Sequence, residues 1–336
     1  MTAFFTVAGK LVALFIYIVV GYVIVKLGVI TKEFAAGISK FVMSITLPCL
    51  ILKTFQTDYS TQLLAAAGKT YLFSIIAYAV SILIGYLTAR LFHIEKKAKG
   101  VWVYSATFPN QAFMGWPVMA ATLGSESLFF ATFANLAFAT YAYTYGVWLM
   151  KTTAIPGESS RAAADSIKES SPAAGRGTAG RPGLMQKYPF LKDLLTTING
   201  AILIGLFLFF TQLRIPAAVN NAITGMADLT TPLAMIFVGT ILARNPLLAV
   251  LKDRRVYLMS LLRLIVIPGL VLTALRPLGL MPLSFGAIVL SHAMPVAGFA
   301  AIYAGAYGND VEFASSLVSV SSLLSVITIP VFVLLL

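Results

Sequence analysis

The chain has 336 residues, 59% of them hydrophobic and 11% charged; a soluble domain carries about a quarter charged residues, so a water-soluble globular protein is excluded and a polytopic membrane protein is indicated. The net charge of +12 comes from Lys and Arg spread along short connections where anionic headgroups lie, which explains it without nucleic acid as a partner. The one cysteine, Cys49, excludes a disulfide framework and a thiolate metal cluster.

With about 20 apolar residues per crossing, ten helical spans are expected, near residues 3–27, 34–56, 63–92, 99–123, 127–150, 191–212, 218–243, 255–275, 282–307 and 312–336. The first is too long for a secretory core of roughly 7 to 15 residues and is read as a span. Basic residues gather after odd-numbered spans, as Lys26 and Lys32, then Arg90, Lys96, Lys97 and Lys99, then the 151–190 segment, then Arg244, Lys252, Arg254 and Arg255. The opposite connections hold Lys53, Lys69, Arg214 and Arg276. Positive residues stay inside, so both termini are expected outward, with 151–190 cytoplasmic, in a plasma or inner membrane.

In the second span Lys40 and Ser44 stand four residues apart and share a helical face ahead of Pro48. Lys53 and Asp58 flank its outer end, where they form a gate or simply solvate it. The fourth span is interrupted by Phe108-Pro109-Asn110-Gln111-Ala112-Phe113. Proline removes a helix hydrogen bond, and lipid cannot satisfy the freed carbonyl, so such a break must face protein or a polar cavity. Asn110 is a candidate both for capping the following half-helix and for ligand contact. From Ala154 to Lys187 the chain turns to Ser, Ala, Gly, Pro and mixed charge, a composition expected to form a disordered cytoplasmic linker.

In the seventh span Asp228 precedes Pro232 by four residues; on one face of a helix, it is a candidate for binding a proton or Na⁺, or for pairing with a basic side chain. Lys10, Lys40 and Arg263 lie about seven residues from a span end, roughly 10 Å, which their side chains can cover by snorkelling. The ninth span carries the second break, Met294-Pro295-Val296-Ala297-Gly298-Phe299, with Ser291 and His292 within one turn before it. A buried structural histidine is the plainer reading of His292.

The two halves repeat. Tyr71-Leu72-Phe73-Ser74 recurs as Tyr257-Leu258-Met259-Ser260, Leu87-Thr88-Ala89 as Leu272-Thr273-Ala274, Pro48 as Pro232 and Gly124 as Gly308, at offsets of 184 to 186. Residues 1–150 are therefore read as one five-helix repeat, 151–190 as the linker and 191–336 as a second repeat. Five spans per copy invert the second relative to the first, the plan of secondary transporters that hold substrate near midplane where broken helices meet.

Pro48, the run Phe108-Pro109-Asn110-Gln111-Ala112-Phe113-Met114-Gly115-Trp116-Pro117, then Pro295-Val296-Ala297-Gly298-Phe299 and Tyr307-Gly308-Asn309-Asp310 resemble the auxin efflux carrier family over nearly everything but the linker. The resemblance implies ten-span carriers of organic anions such as malonate, malate or auxin-like acids. It also implies a bile-acid-transporter-like fold with a scaffold, a mobile transport domain and crossing broken helices 4 and 9. A homodimer through scaffold helices is expected on the same ground. The sequence departs from the plant carriers at Val296, where they have a second asparagine.

These readings converge on an all-α transporter of small organic carboxylates. The site expected to hold substrate is Pro109, Asn110, Gln111, Ser291, His292, Pro295 and Val296, and the residues expected to couple or gate are Asp228, Lys40, Ser44, Lys53 and Asp58. The half-helix after each break offers N–H groups and a positive dipole end to a carboxylate. No phosphate-binding Gly-x-x-x-x-Gly-Lys-Ser/Thr loop, paired acids or His-Glu-x-x-His helix is present, so no enzyme, ATP, metal or other cofactor is expected, with coupling to H⁺ or Na⁺ left open. The alternatives are a bile-acid or sterol carrier of the same fold and a membrane sensor that binds ligand without moving it.

Overall fold

The computed structural model describes residues 2–153, 197–244 and 253–336. All but the first residues of the predicted 151–190 linker, the start of the sixth predicted span and most of the connection after the seventh lie outside the described residues. The helices are α1 (Thr2–Lys26), α2 (Lys32–Phe41), α3 (Leu47–Thr54), α4 (Thr61–Leu91), α5 (Lys96–Thr107), α6 (Trp116–Leu123), α7 (Ser127–Tyr141) and α8 (Val147–Thr152). After the linker come α9 (Thr197–Thr211), α10 (Ala217–Asp228), α11 (Thr230–Arg244), α12 (Arg254–Leu261), α13 (Ile267–Leu275), α14 (Pro282–Ala293), α15 (Phe299–Tyr307) and α16 (Val311–Leu335). Among the described residues there is no strand, and six helical stretches are long and apolar enough to cross a membrane: Gly9–Lys26, Glu33–Thr54, Thr61–Leu91, Ala217–Ala243, Arg254–Leu278 and Val311–Leu335. The other four predicted spans fall on shorter or interrupted helices. The protein is an all-α, multi-pass membrane protein.

Local chemistry sets the helix ends. The Ser60 hydroxyl accepts from the Leu63 N–H at 3.4 Å to start α4, and the Asp310 carboxylate accepts from the Phe313 N–H at 2.9 Å to start α16. Asp253 caps α12 in the same way, and its hydrogen bonds to the Arg255 guanidinium hold its carboxyl below the usual carboxylate range. Within long helices, π turns at Val42–Thr46, Ala142–Gly146 and Leu262–Val266 join α2 to α3, α7 to α8 and α12 to α13, while a fourth, Gln111–Gly115, leads into α6. A π turn admits an extra residue per turn and is common where helices serve a site.

The helices pack as two groups. One is α1, α2, α3, α9, α10 and α11; the other is α4 to α8 with α12 to α16. Contacts between them are sparser, and run from α6, its leading π turn, α7 and α16 to α1, α3 and α11. Within the first group α1 and α11 meet backbone to backbone. A Cβ on Gly21 would stand 2.0 Å from the Ile236 carbonyl oxygen, and one on Gly239 would stand 2.1 Å from that of Ile18. Without a hydrophobic drive between helices in lipid, such small-residue contact is what van der Waals packing exploits. Val19, Leu83, Leu203 and Ile327 remain exposed on the outside, as lipid-facing side chains do.

Candidate functional site: the crossing of two broken helices

Both breaks follow one steric rule. Proline disfavours helical backbone in the residue before it, and Phe108 (φ −103°, ψ 109°) and Met294 (φ −74°, ψ 151°) are both extended. Helix α5 therefore stops at Thr107 and α14 at Ala293. The two extended pieces lie antiparallel with Pro109 opposite Val296. The Asn110 N–H donates to the Pro295 carbonyl at 2.7 Å, and the Ala297 N–H donates to the Phe108 carbonyl at 3.1 Å. Each break thus satisfies backbone groups freed by the other, which apolar surroundings require. Beyond the crossing α6 ends at Gly124 (φ +91°) and α15 at Gly308 (φ +77°), conformations that glycine alone adopts readily.

The predicted substrate residues come together here. Gln111 is buried; its Oε1 accepts from the Tyr78 hydroxyl at 3.1 Å, and its Nε2 donates to the Ala131 carbonyl at 3.3 Å. The His292 ring lies 4.6 Å from that of Tyr78, centroid to centroid. Its Nδ1 is 2.9 Å from the Ile288 carbonyl, so Nδ1 carries a proton and donates, while Nε2 is buried without a partner. The Ser291 hydroxyl is likewise buried and unpartnered. Val296 is fully buried, and its N–H donates to the Ser321 hydroxyl of α16 at 3.1 Å.

Asn110 departs from the expected cap. Its backbone (φ −77°, ψ 66°) leads into the π turn, and its side chain makes no capping bond; its main-chain carbonyl instead accepts from the N–H groups of Met114 and Gly115, both at 3.3 Å. Asn110 is half-buried beside the buried Gln111, on a stretch that packs against α11 of the other helix group.

Arg263 overturns the snorkelling expectation. It is fully buried in the π turn between α12 and α13. Its Nε donates to the Met294 carbonyl at 3.0 Å, and its Nη1 to the carbonyls of Ala106 at 3.0 Å and Thr107 at 3.4 Å. These are the carbonyls at the ends of α14 and α5, orphaned by the prolines, and they draw the guanidinium inward more strongly than the distant headgroup layer. One side chain thus fastens both ends of the crossing.

The predicted gating residues lie elsewhere. Asp228 ends α10 and α11 begins at Thr230, with Leu229 alone between them in helical backbone, so that the stretch carrying Asp228 and Pro232 stays helical. Lys53 and Asp58 do not pair with each other: Lys53 Nζ meets Asp228 Oδ1 at 2.8 Å, and Asp58 pairs with Arg214. Both pairs join the end of α3 and the loop after it to α10 and the loop before it, and Asp228 keeps 64% of its side-chain exposure. Lys40 is exposed and Ser44 half-buried within a π turn of the α2–α3 span. These five residues belong to the first helix group rather than to the crossing.

Tyr78, Arg263 and Ser321 complete the constellation without having been singled out as site residues. An ionisable residue inside a span is a functional suspect by default, and that signal pointed at Arg263. Nothing local marks Tyr78 or Ser321 among so many apolar-helix tyrosines and serines. The assembled site offers amide, hydroxyl and guanidinium donors and helix N-termini. Among the described residues no group of three or more His, Cys, Asp or Glu side chains could hold a metal ion.

Residues 6–333 match a family described as membrane transport protein. An uncharacterized transporter of Methanothermobacter thermautotrophicus is 26% identical over 94% of each chain, and one of Methanocaldococcus jannaschii is 23% identical over 94% of each. The family match joins the broken, mutually bonded helices and the multi-pass fold in a single conclusion: the chain is a transport protein rather than an enzyme and belongs to the membrane transport protein family, the auxin efflux carrier family that its motifs resemble.

Proposed function

We propose that the protein is a secondary transporter of small organic carboxylates, such as malonate, malate or auxin-like acids, which binds them at the crossing and works by alternating access. The observation that carries this reading is the reciprocal pairing of two proline breaks beside a half-buried Asn110 whose amide is not used as a cap. The half-helices beyond the breaks present their positive dipole ends to an anion. The group of α4 to α8 and α12 to α16 acts as the moving body, and α1 to α3 with α9 to α11 as the scaffold; the sparser packing between the groups supports this division.

The ten spans form two inverted repeats in this reading. Reciprocal contacts support it at an offset of 184: Gly21 packs against α11 beside Gly239, and the corresponding Gly205 packs against the corresponding Phe55, with a Cβ on Gly205 falling 2.3 Å from that ring. At an offset of 186, Ser74 pairs with Ser260 and Ser105 with Ser291, and all four hydroxyls are buried and unpartnered.

The protein sits in the plasma or inner membrane with both termini outward. Export of an anion then needs no coupling ion, since a negative interior supplies about 2.3 kcal/mol per charge per 100 mV; uptake needs one. The test is flux of labelled malonate, malate, lactate and indole-3-acetate into right-side-out and inside-out vesicles, with and without an imposed potential or proton gradient. Saturable flux of a carboxylate is expected. Binding of one without flux of any would make the protein a ligand sensor instead.

A further inference from the structure

Arg263 holds more charge than its bonds account for. It lies near the middle of the Arg254–Leu278 span with no exposure, and arginine stays protonated in proteins. A buried charge is costly without a counter-charge, yet among the described residues no carboxylate pairs with Arg263. The three bonds of Arg263 to main-chain carbonyls employ Nε and Nη1. Nη2 is buried and has no partner. The elements that Arg263 fastens carry further buried polar atoms without partners: the Ser105 hydroxyl, next to Ala106, and the Ser291 hydroxyl and His292 Nε2, just before Met294.

A buried, uncompensated guanidinium with a spare N–H group, bonded to helix ends that also carry unpartnered serine hydroxyls, is the complement of a carboxylate. We infer that Arg263, through Nη2, is the counter-charge of the carboxylate bound at the crossing, with the Ser105 and Ser291 hydroxyls as added donors. This rests on the transporter reading above and names the group that makes its site selective for anions. Nε and Nη1 keep the crossing closed while Nη2 reads the ligand. A bound carboxylate neutralises the guanidinium, whereas its methyl ester leaves the charge unbalanced.

The experiment uses the full chain in proteoliposomes, with labelled malonate, malate, lactate and indole-3-acetate as probes and their methyl esters as competitors. Wild type is expected to bind at least one acid, at least about ten-fold more tightly than its ester. In Arg263→Gln the lost bonds to the crossing weaken acid and ester together, but the acid falls further, so that its preference over the ester drops at least about ten-fold. A purely structural role would weaken acid and ester by the same factor, and that result overturns the inference, as does unchanged acid affinity. Should Arg263→Gln not fold, Arg263→Lys decides: it keeps the charge and must keep the preference for acid over ester, and loss of that preference in a folded variant overturns the inference. Neither binding nor flux of any acid in wild type would instead remove the transporter reading itself, and the inference with it.

Discussion

The two breaks share a backbone and differ in what they present. In each, a residue forced into extended conformation by the following proline ends a helix, and the two segments exchange one hydrogen bond in each direction. The first then continues with Asn110 and Gln111, the second with Val296 and Ala297. Gln111 is tied to Tyr78 and Ala131, and Val296 is closed by Ser321, which leaves Asn110 as the half-buried polar side chain at the crossing. A symmetric backbone pairing thus carries asymmetric side chains: the pairing is structural on both sides, and the recognition proposed above falls to Asn110 of the first break, to the arginine that fastens both, and to the serine hydroxyls before each.

Substitutions around each break separate these roles. The largest effect is expected from Gln111→Leu, which leaves the Tyr78 hydroxyl buried without a partner and takes the side-chain donor from the Ala131 carbonyl; thermal unfolding in detergent should show a loss of roughly 2–3 kcal/mol. Ser321→Ala strips the partner from the Val296 N–H and should cost about 1–3 kcal/mol by the same measurement, with smaller consequences for ligand affinity. Asn110→Ala should do the reverse. Stability should hold to within about 0.5 kcal/mol, because the side chain makes no cap bond, while carboxylate affinity in equilibrium binding falls about ten-fold through the loss of a hydrogen bond to a charged group. A large stability loss in Asn110→Ala would make the first break as structural as the second. Smallest of all, Lys53→Ala removes an ion pair whose partner Asp228 is largely exposed, and should change stability by less than about 1 kcal/mol, less still at high salt.

Much of this architecture could be read from residue order. Proline dictates its effect on the preceding residue locally, so the ends of α5 and α14 follow from Pro109 and Pro295, and the matched glycines Gly124 and Gly308 both take positive φ at a helix end. What escaped was set by partners distant in the chain. Arg263 looked able to snorkel because its distance from a span end was legible, whereas the carbonyls of Ala106 and Thr107, more than 150 residues away, were not. That Lys53 and Asp58 flank the end of the second span is legible, whereas their partners Asp228 and Arg214, more than 150 residues away, are not. The π turns also shift side-chain register in ways that a regular 3.6-residue period does not anticipate, and one of them follows Asn110, whose side chain makes no cap bond.

The most direct test of the asymmetric site is paired uptake of the labelled carboxylate that wild type carries, in proteoliposomes holding equal amounts of Asn110→Ala or Val296→Ala protein. The account predicts that saturable uptake falls about ten-fold or more in Asn110→Ala and stays within about three-fold of wild type in Val296→Ala. Equal loss in both variants, or retention in Asn110→Ala with loss in Val296→Ala, would contradict it.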